Sequence, residues 1–135
     1  MWAFYGCTSL KSINIPDSAT EISRQAFYGC TSLKSIDIPD SVTEIGMWAF
    51  YGCTSLKSIN IPDSATEIGW HAFKGCASLK EIHIKNINPQ DLKVDSEAFD
   101  GLYEECTLFV PSGTRWRYRH HDVFKRFKNI EIERR

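Results

Sequence analysis

The sequence predicts an α/β-type repeat solenoid: a coil wound from 23-residue units around a parallel β-sheet, with short 3₁₀ or helical turns and a C-terminal helix and strand closing the end. Three observations carry that prediction. The stretch AFYGCTSLKSI stands unchanged at 3–13, 26–36 and 49–59, and returns at 72–82 as AFKGCASLKEI with three substitutions. The interval is fixed, so Phe4, Phe27, Phe50 and Phe73 are each 23 residues apart, as are Leu10, Leu33, Leu56 and Leu79. Within every unit a period-2 alternation runs into turn-forming residues, the pattern of a strand with one buried face. Self-similarity at such a period marks an architecture in which each unit is buried by its neighbours.

Each unit divides into four pieces. LKSINIP alternates Ser12, Ile13, Asn14 and Ile15 before Pro16 stops it, which predicts the main strand. The following PDS is turn chemistry, because proline fixes φ and Asp and Ser side chains bond nearby backbone. TEI at 20–22, 43–45 and 66–68 predicts a second, shorter extended piece. AFYGC is too short for a stable α-helix and predicts one helical or 3₁₀ turn. Stacked at about 4.8 Å, the coils would align Ile13, Ile36, Ile59 and Ile82 in one ladder and Ile15, Ile38, Ile61 and Ile84 in a second, facing the alanine and phenylalanine columns. A degenerate fifth unit starts at Phe99, 26 residues after Phe73, so the linker KNINPQDLKVDSE holds three additional residues. Phe99, Leu108, Val110 and Pro111 nonetheless fall into the repeat columns. The expected organisation is therefore a solenoid over 1–111 and a capping segment over 112–135.

The 135 residues are 42% hydrophobic and 24% charged, with net charge −1, which suits one globular domain. Residues 1–111 hold eight Lys/Arg against fourteen Asp/Glu, whereas 112–135 hold eight against three. The repeats are acidic and the tail is basic. No apolar run approaches the ~20 residues of a membrane span, so no membrane insertion is expected.

The pattern A-F-x-G-C-x-S-L-K-x-I-x-I-P-x-S-V-T-x-I-G resembles the BspA-type leucine-rich repeat of bacterial surface proteins, over about residues 1–111. The tail CTLFVPSGTRWRYRHHDVFKRFKNIEIE is similar to closing segments of that family. The resemblance implies a right-handed leucine-rich-repeat coil and a protein-binding or adhesion module, elongated and curved, on secreted or surface-anchored bacterial proteins.

The cysteines Cys7, Cys30, Cys53 and Cys76 occupy one column. Spacing of 23 delivers parallel side chains, not the converging set that zinc requires, and parallel Cβ directions oppose bridging between coils. A packing ladder is expected, since free cysteine behaves as a small buried hydrophobe; an occasional disulfide and a metal site are the weaker alternatives. Leu102 takes the ladder position in the fifth unit, and Cys106 falls in the Lys80 column. The HHD at 120–122 points its histidines to different sides of a helix and predicts no metal site. No nucleophile elbow, phosphate-binding glycine loop or H-E-x-x-H is present. Glu21, Glu44 and Glu67 repeat as surface charges do, where an acid and base would form a unique pair. The expectation is no enzyme, no cofactor and no small-molecule substrate.

Binding is then expected on the columns that face away from the core. These are Ser12, Ser35, Ser58 and Glu81, then Asn14, Asp37, Asn60 and His83, flanked by Lys11, Lys34, Lys57 and Lys80. A periodic sheet surface suits an extended protein partner, from a host or a bacterium; the competing reading is a solvated face. Tyr5, Tyr28, Tyr51, Trp2 and Trp48 form an aromatic edge that either anchors a partner or covers the core.

In the tail, Trp116, His120, Val123, Phe124 and Phe127 follow amphipathic helical spacing. Thr114 is the expected N-cap and NIEIE a final strand, together covering the last coil. The alternative is a nucleic-acid surface in which Arg115, Arg117, Arg119, Lys125, Arg126 and Lys128 interleave with Trp116, Tyr118, Phe124 and Phe127. No nucleic-acid-binding motif accompanies them, and a nucleic-acid partner is not favoured.

The chain opens inside a repeat, since MWAF at 1–4 duplicates 47–50. An uncovered first coil would present Phe4, Leu10, Ile13 and Ile15, which predicts self-association into a homo-oligomer through this end. The other expectation is a fragment of a longer array whose upstream repeats cover the coil. MWAFYGCTSL has no signal-peptide pattern, so a complete chain would be cytoplasmic and a fragment would derive from a cell-surface or secreted protein.

Overall fold

The computed structural model describes residues 6–133, so Trp2, Ala3, Phe4 and Tyr5 lie outside the described residues. The chain winds a parallel-strand solenoid of about five turns. Two parallel sheets run along it. The longer-stranded sheet contains β3 (Ser58–Ile61), β5 (Glu81–Ile84), β7 (Thr107–Val110) and β8 (Asn129–Ile132), in that order. The second contains β1 (Glu21–Ile22), β2 (Glu44–Ile45), β4 (Glu67–Ile68) and β6 (Lys93–Val94). The main strands and the TEI pieces are thus where the alternation placed them. In the first two coils the main ladder is reduced to one bridge, Asn14 to Asp37.

Register follows the period. Ile59 pairs with Ile82 and Ile61 with Ile84, and Ile82 then pairs with Leu108 across the longer linker. The linker absorbs its extra residues in a 3₁₀ turn, Pro89–Asp91, whose Pro89 is buried. Leu92 is buried beside it. Between the sheets, the Ile, Leu, Ala, Cys and Phe columns form one continuous core. Phe27, Phe50, Phe73 and Phe99 stack with ring centroids 5.3, 5.4 and 5.4 Å apart and planes within 7°. Such a ladder follows from identical residues repeated in register.

The AFYGC segment is a succession of turns. Ala26, Tyr28 and Cys30 donate N–H to carbonyls three residues back, on Ser23, Gln25 and Phe27. Gln25, Phe27 and Gly29 donate instead to Met47, Ala49 and Tyr51 of the next coil. Alternate residues therefore close the turn and join the coils, which satisfies the backbone of a segment too short to form a helix. The geometry places Gln25, Trp48 and His71 at φ of 60°, 58° and 55°, a left-handed backbone at the same point of three successive coils.

Cys7, Cys53, Cys76 and Cys106 are free thiols. Cys53 and Cys76 donate Sγ–H to the carbonyls of Phe27 and Phe50, both at 3.2 Å. Burial raises the thiol pKa of both, and Cys76 is pushed up to about 12. These are packing residues with little thiolate at neutral pH.

The tail departs from its expected helix. Among its described residues only α1 (Arg115–Arg119) is α-helical, followed by a separate 3₁₀ turn, Phe124–Arg126. Trp116 is 62% exposed and His120 is also exposed, so neither belongs to the packed face. Tyr118 takes that role instead, fully buried and donating its hydroxyl to the Asn86 carbonyl at 2.6 Å. Thr114 occupies the N-cap position but makes no side-chain cap; its hydroxyl donates to the Pro111 carbonyl at 2.7 Å. Phe124 and Phe127 are buried against Phe99, with centroids 5.8 and 5.4 Å away. The final strand forms as expected: β8 pairs with β7, setting Ile130 beside Leu108 and Ile132 beside Val110.

Candidate functional site

The outward columns of the main sheet stand as the alternation placed them. Lys11, Ser12 and Asn14, then Lys34, Ser35 and Asp37, then Lys57, Ser58 and Asn60 are all exposed. Lys80 and Glu81 are exposed too, and His83 is half-buried. The strand pairs bring Ser58 opposite Glu81 and Asn60 opposite His83, so the columns are continuous in space. A hollow of about 550 Å³ is lined by Lys57, Ser58, Ala77, Ser78, Lys80 and Glu81. Lys80 pairs with Glu105 at 3.0 Å.

The period alone did not show that this face continues over β7 and β8. Register sets Phe109 beside His83 and Glu131 beside Phe109. The His83 and Phe109 rings stack with centroids 4.7 Å apart. The alternation in TLFV and NIEI held the signal, because Phe109 and Glu131 occupy the positions of Asn60 within their own strands. The face therefore changes along its length, from small polar residues to an aromatic and acidic end.

Of the four self-association residues, Phe4 lies outside the described residues. Leu10, Ile13 and Ile15 are half-buried, whereas Leu33, Ile36 and Ile38 one coil on are 0%, 5% and 7% exposed. The aromatic edge is built from Tyr28 and Tyr51, stacked at 4.9 Å, and Trp48 against Trp70 at 5.3 Å. The Trp48 indole donates to His71 Nδ1 at 3.2 Å, and the Trp70 indole donates to Glu97 at 2.6 Å. That second bond, with His71 and Lys74 nearby, holds the Glu97 carboxyl below its ordinary range.

The Glu21, Glu44 and Glu67 column lies on the second sheet in direct register, ending at Lys93. Partial burial and repulsion from Glu67 and Glu21 raise the Glu44 carboxyl. In the tail, Arg117 donates to the Ile87 carbonyl and Asn88 Oδ1, both at 2.8 Å, and Arg126 donates to the Ser96 carbonyl at 2.6 Å. With Tyr118, Phe124 and Phe127 buried, Trp116 is the one exposed aromatic of the four proposed for base stacking. His121 is buried and its Nδ1 accepts from the Val123 and Phe124 amides. No group of His, Cys, Asp and Glu able to hold a metal occurs among the described residues.

A parallel-sheet coil with apolar ladders inside and a regular polar face outside defines a leucine-rich-repeat solenoid. The chain belongs to the BspA-type leucine-rich repeat family, whose model matches residues 1–113 with six copies. The period shows four units and a degenerate fifth over nearly the same span. A search of the curated proteins finds no match. Among solved structures, the chain is similar to the pneumococcal vaccine antigen PcpA, with a TM-score of 0.53 and 20% identity over 96% of this chain and 43% of that one. It is similar also to a leucine-rich repeat protein from Bacteroides ovatus, with a TM-score of 0.53 and 21% identity over 84% of this chain and 53% of that one. These likenesses show the fold, and the chain spans about half the length of the two proteins. No enzymatic family is indicated.

Proposed function

We propose that this chain is a non-catalytic protein-binding module of the bacterial surface-protein type, serving adhesion, and that its partner lies along the outward face of the main sheet. One observation supports this above others. Side chains at equivalent positions in four coils align into continuous exposed columns, and those columns are free of the core ladders. The partner is a host or bacterial protein with an extended segment, because a surface repeating every coil offers the same contact several times over. The tail is proposed to cap the last coil, through Phe124 and Phe127 on the Phe ladder and Ile130 on the Ile ladder.

The test is a binding panel of host extracellular proteins and bacterial surface proteins, read by interferometry. A Ser35→Arg/Ser58→Arg pair should weaken any partner at least about tenfold, or about 1.4 kcal/mol. A Thr31→Arg/Thr54→Arg pair, on exposed turns away from the strands, should leave it unchanged. The reverse pattern would overturn the assignment of the face.

A second reading, self-assembly as a structural spacer, is favoured by the half-exposure of Leu10, Ile13 and Ile15. A second copy stacked against them would bury these residues further. Light scattering of the 135-residue chain should then show mass growing with concentration; a monomer throughout would remove this reading.

A further inference from the structure

His83 breaks the column in which it stands. The equivalent residues are Asn14, Asp37 and Asn60, and none of them is held by carboxylates on two sides. His83 Nε2 lies 2.9 Å from a Glu81 oxygen, and Nδ1 lies 2.5 Å from a Glu133 oxygen, just beyond β8. A carboxylate only accepts hydrogen bonds, and both ring nitrogens donate only in the imidazolium. A neutral ring would turn one lone pair toward a carboxylate oxygen. The geometry therefore calls for the charged ring.

The surroundings agree. From β5 and its end the ring is faced by Glu81, with Lys85 beside the same cleft. From β3 it meets Asn60 and from β7 Phe109, both uncharged. From the segment after β8 comes Glu133, while Glu131 of β8 lies beyond Phe109 and is 3.7 Å from Arg115. The stacked Phe109 ring shields one face. A cleft of about 640 Å³ opens here, lined by Asn60, His83, Lys85, Pro111, Ser112 and Glu133 among others.

We propose that His83 is a protonation-dependent clamp, which as imidazolium ties the segment after β8 to β5 and, on losing its proton, releases Glu133 and opens this end of the exposed face. It concerns the chain's own contacts and stands whether or not a partner uses the face. Burial alone would lower the His83 pKa, but the bonds and charge of Glu133 and Glu81 outweigh it and raise the value above 6.5. A group raised on folding stabilises fully below its unfolded pKa, and that contribution fades as pH rises through the folded one. The clamp is thus closed in mildly acidic solution and opens on the alkaline side of about 6.5.

The experiment is an NMR pH titration of the full chain, following the His83 imidazole carbon-bound protons and the amides of 129–133. Wild type is compared with Glu133→Gln, Glu81→Ser and His83→Asn; the last two restore the residues β3 carries at those positions, so the coil keeps a sequence it already tolerates. The His83 midpoint should lie above about 6.5 and fall in Glu133→Gln and Glu81→Ser. The 129–133 amides should shift with that same midpoint in wild type and lose the transition in His83→Asn. A His83 midpoint at or below the ordinary value would overturn the clamp. So would amides of 129–133 that ignore the titration, or that keep it in His83→Asn.

Discussion

Gly46 and Gly69 mark the tightest corners between coils. A Cβ on Gly69 would meet the Met47 amide nitrogen at 2.7 Å, and one on Gly46 would meet the Arg24 nitrogen at 2.7 Å. Those neighbours are backbone and cannot turn aside, so Gly69→Ala should cost about 1–3 kcal/mol as overpacking, measured by urea denaturation. The cysteines give a second prediction at this scale. Cys30, Cys53, Cys76 and Cys106 are buried and Cys7 is half-buried. A native thiol assay should therefore label Cys7 first and the other four only on unfolding. Rapid labelling of four or five would contradict the ladder. The ladder was legible in the period, because every neighbour of these cysteines repeats too. The Sγ–H bonds to the Phe27 and Phe50 carbonyls were not, since they depend on the offset between coils.

Among the elements, the Phe ladder and the tail carry most of what is specific to this chain. Phe50 stacks on both Phe27 and Phe73, and Phe50→Ala should lower stability by about 3–5 kcal/mol, seen as a fall in the denaturation midpoint. The tail docks through a polar contact as well. Tyr118→Phe would strip the Asn86 carbonyl of its buried donor and should cost about 1–3 kcal/mol in the same assay; an unchanged midpoint would show that this bond contributes nothing. Here the sequence misled. Helical spacing over Trp116–Phe127 suggested one amphipathic helix, but the chain turns between His120 and Val123, so Trp116 and His120 stay exposed while Val123, Phe124 and Phe127 are buried together with Tyr118. Periodicity describes a face only while the helix continues. The main strands were legible for the opposite reason, since alternation with period 2 survives even where coils pair through a single bridge.

Taken as a whole, the molecule separates its roles: identical residues hold the coils in register, and the residues between them vary toward the C-terminal end. The first three coils present Lys, Ser and Asn or Asp; the later ones present Glu81, His83, Phe109 and Glu131. The outward columns of the repeats were readable from their spacing. Over β7 the register was legible in Leu108 and Val110, which keep the Ile82 and Ile84 columns across the 26-residue interval, but the extension over β8 was not, because the tail has no repeat and strand pairing supplies its register. The basic tail is likewise less available than its composition suggests, as Arg117 and Arg126 bind backbone carbonyls of the chain itself. The central claim is that the exposed main-sheet face receives a protein partner. Amide chemical-shift mapping of the ¹⁵N-labelled chain, titrated with a partner found in the binding panel, tests it most directly. Shifts confined to 11–14, 34–37, 57–60 and 80–83 are the predicted result; shifts centred on the Glu21, Glu44 and Glu67 column or on Tyr28 and Tyr51 would contradict it.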